Sequence, residues 1–191
     1  MVLGGKHSAE NLTMPSHVLN PAPGVSPAIG FYLAGMEEVR AQLRETITGM
    51  TDEQICRRAV PGAHSIGALV LHIGEAEWWW IQSNITGHKL TDEDRRAPYW
   101  DVLKDPEGFA SKGYSADFCL QQIDRIREQT RSTLASLGDA DLERIFSFER
   151  RGQTHEQSLR WILHHLIDHE AQHKGQILML KRLLVFKNEE L

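Results

Sequence analysis

Cysteine is scarce in this chain: two residues in 191, Cys56 and Cys119, far apart and in no Cys-x-x-Cys pair. That excludes a thiolate zinc site and a disulfide scaffold, and reads as reduced thiols in a cytosolic protein. Long apolar runs are missing too. None approaches the roughly 20 residues that a membrane span needs. The N-terminus has no charged segment followed by an apolar one, so a cytoplasmic location is expected and secretion is not. The Asn11-Leu12-Thr13 sequon carries little meaning in that setting. Basic excess is also lacking: Lys and Arg number 21 against 26 Asp and Glu, for a net charge of −5. A nucleic-acid partner is therefore not expected. Strand signals are few. What remains, 41% hydrophobic and 25% charged residues, suits one globular domain with a sizeable core.

Residues 1–25 read as a flexible N-terminal tail, punctuated by Pro15, Pro21, Pro23 and Gly24. Residues 26–191 read as the folded domain. Ser26-Pro27 has the form of a helix start, with Ser as cap and Pro at the first helical position. Phe31, Leu33, Met36, Val39, Leu43 and Ile47 continue that helix to Gly49. Thr51-Asp52-Glu53-Gln54 has the capping-box form and starts a short helix to about Arg58. Ser65 caps a second long helix to Gly87, apolar on most sides and carrying Trp78, Trp79 and Trp80. The Trp run reads as core or dimer interface. Residues 88–114 read as a long irregular connection, a length that is often functional. A third long helix spans about 115–137, and Asp139 to Ile145 adds a short turn of helix. Phe146-Ser147-Phe148 before Arg151-Gly152 reads as a small extended or hairpin element. Thr154 and Gln157 form a capping pattern for a fourth long helix, about 155–185. The expected class is all-α: an antiparallel four-helix bundle with a long connection between the second and third long helices.

Histidine is the outlier. There are ten, four of them between positions 164 and 173. The fourth helix has a stripe of Ile162, Leu166, Ile177, Leu180 and Leu184, and positions 169 and 173 fall inside it. Both are His. Residues four apart share a helix face, so both imidazoles can reach one ion. His72, on the apolar segment Leu69–Ile73 of the second long helix, is the candidate third ligand. Three buried imidazoles without partners cost several kcal/mol, a cost that coordination removes. The expected cofactor is therefore one divalent metal ion on His72, His169 and His173, with open positions for water or substrate. Glu75, one turn after His72, is the candidate acid or base; a polar rim residue is the alternative. His165 lies beside the stripe and reads as a supporting or solvent-facing group, with a fourth metal ligand as the minor alternative, and His164 reads as solvent-facing. Asp168 and Glu170 read as exposed helix charge, or as groups that orient an imidazole.

His169-Glu170-Ala171-Gln172-His173 also matches His-Glu-x-x-His, the zinc-protease helix whose Glu is the general base. Only 18 residues follow His173, too few for a downstream third ligand on its own element, and the expected sheet is missing. The protease is a minor alternative. A non-catalytic dimeric module that binds a metal or small ligand is the other class left open.

Pro61-Gly62-Ala63-His64-Ser65-Ile66-Gly67 leading into Leu71-His72-Ile73, and His165 through Gln176 on the last helix, resemble the DinB/YfiT-like superfamily. The likeness runs from about residue 28 onward, leaving out the tail and the long connection. It implies a four-helix bundle with a three-His metal site that maps onto His72, His169 and His173. It further implies nickel or zinc as the metal and a homodimer. The activity it implies is a metal-dependent enzyme, either a hydrolase acting through water or an S-transferase using a low-molecular-weight thiol with a small-molecule substrate.

Overall fold

The computed structural model describes residues 18–150 and 152–189, with side chains through 184. Residues 1–17 of the expected tail, and Arg151, lie outside the described residues. The last part of that tail is packed: Ala22 is buried, and its N–H donates to the Gly30 carbonyl at 2.9 Å.

Helix α1 is Pro27–Ile47, with Pro27 in the first turn and Gly49 at φ 78° just beyond its end. The Ser26 hydroxyl does not cap it, contrary to expectation. Asp139 does so from a distant segment: its Oδ1 accepts from Ala28 and Ile29 N–H at 2.9 and 3.2 Å. Helix α2 is Asp52–Cys56, and Thr51 and Gln54 form both halves of the capping box. Helix α3, Ile66–Trp78, is capped by Ser65 and runs on as a π-helical stretch, Trp79–Ile85. The expected irregular connection holds two short helices, α4 (Asp92–Arg95) and α5 (Pro106–Lys112). Each has a side-chain cap that the chain supplies locally: Thr91 for α4 and Asp105 for α5. Helix α6 is Ala116–Ala135, capped by Ser115, and a 3₁₀ turn follows at Asp139–Glu143.

Strands β1 (Ile145–Arg150) and β2 (Gln153–Ser158) pair antiparallel, from Ile145 opposite Ser158 to Arg150 opposite Gln153. The chain is thus mostly helical with one two-stranded sheet, and not purely α. Thr154 and Gln157, expected to cap the last helix, lie in β2. Alternating Thr154, His155, Glu156 and Gln157 pair across the hairpin, and α7 begins only at Leu159 and reaches Glu189.

The four long helices contact one another in a ring: α1 with α7, α7 with α3, α3 with α6, and α6 with α1. Gly74 permits the α3–α6 approach. A Cβ there would lie 2.7 Å from Ile123 Cγ2 and 2.9 Å from Ile126 Cδ1.

Two apolar clusters fill the interior. One gathers Leu43, Leu71, Ile73, Ile123 and Ile177; the other gathers Leu33, Met36, Trp80, Leu134 and Leu166. Between them along every long helix sits one charged residue: Arg40 on α1, Glu77 on α3, Arg127 on α6 and Glu170 on α7. All four are 2–6% exposed. Arg40 Nε donates to Glu170 Oε1 at 2.5 Å, and its Nη2 to Glu77 Oε2 at 2.9 Å. Arg127 Nε donates to Glu77 Oε1 at 2.7 Å, and its Nη2 to Glu170 Oε2 at 3.0 Å. The Thr130 hydroxyl donates to Glu77 at 2.7 Å. Glu170, read from the sequence as exposed or imidazole-orienting, is neither. Burial pushes the Glu77 carboxyl up, but Arg127 and Arg40 outweigh it and hold the group down at about 2.

A carboxyl that ordinarily titrates near 4.5 and is held at about 2 in the fold stabilises fully above the ordinary value. That contribution, about 3 kcal/mol, disappears as pH falls from there toward 2. Glu77→Gln, which leaves two guanidinium groups partly unmatched in the core, should lose about 3–5 kcal/mol in urea unfolding at neutral pH. Its stability should also depend less on pH below 4.5 than that of the parent. Arg160→Ala breaks only exposed contacts, with Glu143 and the Tyr32 hydroxyl, and should cost under about 1 kcal/mol.

Candidate metal centre

His169 and His173 lie one turn apart on α7, and His72 comes from α3, which packs against it. The three rings converge. Centroids are 5.2 Å apart for His72 and His169, 5.0 Å for His72 and His173, and 4.4 Å for His169 and His173. One nitrogen from each ring lies within 4.8 Å of the others, and the two Nε2 atoms of His169 and His173 are 3.2 Å apart. Ligands on one tetrahedral ion at about 2.0–2.1 Å stand at about that separation.

The tautomers suit the same end. His72 Nδ1 faces Glu75 Oε2 at 3.1 Å, and His173 Nδ1 faces Gln176 Oε1 at 2.9 Å. An acceptor at Nδ1 holds the proton there and leaves the Nε2 lone pair free to ligate. Burial, with repulsion from His173, His72 and His165, lowers the His169 pKa to about 3. Burial also lowers that of His173, against the Gln176 hydrogen bond and with smaller repulsions from His72 and His64. These imidazoles are neutral at pH 7, the form that binds metal. The donor set therefore fits a divalent ion, and the three-His group could hold one.

Other sequence candidates fall elsewhere. His164 is exposed, as read, and Asp168 is exposed and accepts from Gln172 Nε2 at 2.6 Å. Glu170 sits in the core between Arg40 and Arg127, so the His-Glu-x-x-His reading has no general base at the cluster. The protease alternative fails on that placement. Glu75 lies beside the cluster with both oxygens occupied: Oε2 by His72 and Oε1 by the Asp101 N–H at 2.9 Å. Asp101 has φ 53°, the one described non-glycine residue in the left-handed region. A strained backbone is thus fixed at the carboxylate that faces His72.

A cavity of about 600 Å³ opens beside the rings, and His72 and His169 form part of its wall. Trp79, Trp80, Trp100 and His165 line it, with Lys104 and Arg150. The π-helical stretch splays the three consecutive Trp. Trp78 meets His88 and Trp100, while Trp80 turns toward Phe148, Trp161 and His165. Insertions of this kind often mark functional sites.

Residues 33–184 match the family described as mycothiol-S-transferase. The chain belongs to that family, within the DinB/YfiT-like superfamily. Two solved structures share the fold of this mycothiol S-transferase family member. A DinB-like protein from Bacillus cereus is 22% identical, with TM-score 0.58 and coverage of 81% of this chain and 91% of that one. A conserved protein from Enterococcus faecalis is 16% identical, with TM-score 0.60 and coverage of 81% and 95%. No curated protein matches the sequence.

Sequence reasoning missed the wall of the cavity in this family member. Trp79 and Trp80, read as core or interface, are part of it, and so are Trp100, Arg150 and His165. The signal was faint: Tyr99-Trp100 in a charged connection, and His165 one turn before His169 on α7.

His169→Ala and His173→Ala should each abolish retention of zinc or nickel after gel filtration, read by elemental analysis. His165→Ala should keep it, since its ring stacks on Trp161 at 4.8 Å and lies outside the three-nitrogen group. Full metal content in either of the first two variants contradicts the assignment.

Proposed function

We propose that the protein is a thiol S-transferase that joins a low-molecular-weight thiol of the mycothiol type to a small electrophile, using nickel or zinc on His72, His169 and His173. The observation that carries the reading is the convergence of three metal-competent imidazoles at the wall of an apolar cavity, in a chain of the mycothiol S-transferase family. A divalent ion in that set supplies Lewis acidity, favouring the deprotonated form of a bound thiol at neutral pH. The chain's own residues do the rest. Glu75 and Gln176 hold protons on the outer nitrogens of His72 and His173, so that both rings present lone pairs inward. The aromatic wall excludes water from the neighbourhood of the nucleophile.

Glu75 is on this reading a positioning residue and not the acid or base. Its Oε2 faces His72 Nδ1 and its Oε1 accepts from the Asp101 N–H, the contacts of a group that orients a ring. Hydrolysis, the second activity the sequence leaves open, has less support than transfer, because the family match is to an S-transferase. The ring of four long helices supports an antiparallel bundle as the scaffold. A homodimer in the cytoplasm completes the proposal, and exposed Leu178 and Met179 on α7 offer an apolar surface for pairing.

The test incubates zinc- or nickel-loaded protein with a chloronitrobenzene and, in turn, mycothiol, glutathione and cysteine. Thiol adduct, followed by absorbance and mass spectrometry, should form with metal and fall at least a hundredfold in His169→Ala. No adduct with any thiol, at full metal content, would count against transfer. Glu75→Gln turns an amide N–H toward His72 Nδ1 and disfavours the tautomer that ligates. Metal affinity should drop about 10–100-fold, with adduct formation recovering at saturating metal. Loss of turnover at full metal occupancy would instead make Glu75 a catalytic group.

A further inference from the structure

We infer that the electrophile taken by this site is a flat, apolar molecule carrying one negative charge, seated among Trp79, Trp80 and Trp100 with its anionic group on Arg150. The inference rests on the transferase reading for its chemistry but on separate residues for its selectivity.

Shape comes first. The cavity at His72 and His169 has room, at about 600 Å³, for a molecule of one or two rings. Its walls are indole faces and edges. Trp79 and Trp80 meet at 4.8 Å and 78°, Phe148 stands edge-on to both, and His165 lies flat on Trp161 with its edge to Trp80. Rings locked against one another in this way keep a slot open for a flat guest. The hydrophilic cellular thiols are poor guests for that slot, which leaves it to the second substrate.

Charge decides the rest. Four charged side chains border the cavity. Glu75 keeps its charge but is turned onto His72 Nδ1 and the Asp101 N–H. Asp101 and Lys104 neutralise one another at 2.7 Å. Arg150, at the end of β1, has no ion pair among the described residues and is exposed at the rim. Among the described residues, the guanidinium is therefore the one charged group bordering the cavity whose side chain has no partner, and it stands at the mouth. Trp-lined pockets also suit cations, but a cation here would meet Arg150, whereas a carboxylate gains a charge-assisted pair. Two other cavities, at Trp78 with His88 and at Tyr99 with Arg125, do not reach the His cluster.

In the reaction the thiol loses its proton to solvent, and its sulfur attacks the ring carbon that bears chlorine. A C–S bond forms, the C–Cl bond breaks, and chloride leaves with the electron pair. Nothing is oxidised or reduced.

The experiment compares a chloronitrobenzoate with the matching chloronitrobenzamide, each rate divided by its uncatalysed rate with the same thiol. The benzoate should lead in kcat/KM by about five- to tenfold. Arg150→Gln should bring the ratio near one through KM, and Arg150→Glu should invert it. Trp100→Ala should raise KM for both compounds. Circular dichroism checks that the variants fold. Quenching of Trp fluorescence by the same two compounds without thiol reads binding independently of chemistry. Preferential quenching by the benzoate without adduct formation upholds the pocket and sinks the transferase reading. Adduct formation with equal kcat/KM for both compounds, or a ratio unmoved by Arg150→Glu, overturns the inference and leaves transfer standing.

Discussion

Arg40, Glu77, Arg127 and Glu170 are one residue from each long helix, joined in a closed ring of charge-assisted hydrogen bonds deep in the core. Two positive and two negative groups balance, so none is left as an unpaired buried charge. A pairing of this kind gives little net stability relative to a well-packed apolar core, because desolvation consumes most of the attraction. What it does give is angular precision. Apolar side chains tolerate small rotations of a helix; bidentate guanidinium–carboxylate contacts do not. Glu170 is the neighbour of His169 on α7, and Glu77 lies two residues beyond Glu75 on α3. Fixing the rotation of those two helices at Glu170 and Glu77 fixes the direction of His169, His173 and His72. The metal-competent cluster is in this sense a consequence of the core network one face away.

The same division explains the two apolar clusters. An interior of this size, uninterrupted, would permit alternative registers of α1 against α7. A charged layer placed part-way along every helix penalises each of those slips by leaving a carboxylate or guanidinium without its mate. The cost of burying the layer is offset by the specificity it supplies. It also makes one end of the molecule, with the π-helical stretch and the hairpin, structurally separable from the other.

Periodicity revealed the long helices, and the three-His cluster was legible because His169 and His173 interrupt an apolar stripe at helical spacing. The same logic, applied to charge, would have found the core network: Arg40 falls between Met36 and Leu43, and Glu170 between Leu166 and His173. Charged residues on an exposed face follow no such stripe. The hairpin was harder, because Thr154 and Gln157 satisfy a capping pattern and a strand equally well. The cross-strand partner that decides between them is non-local. The short helices α4 and α5 are too brief for periodicity, and only their caps, Thr91 and Asp105, announce them.

The connection between α3 and α6 deserves a different physical account from the helices. Its backbone reaches the site through one hydrogen bond, from Asp101 N–H to Glu75, at a residue whose φ of 53° disfavours any side chain beyond Gly, Asn and Asp. Such a conformation persists only where the surroundings over-determine it. Here the surroundings are the carboxylate that also orients His72, so one side chain sets both the tautomer of that imidazole and the position of Trp100 in the cavity wall. Ligand geometry and cavity shape are thereby linked through a single atom pair on each side of Glu75. A change in the chain that moves the connection must disturb the imidazole, and a change at the imidazole must be felt by the wall of the cavity.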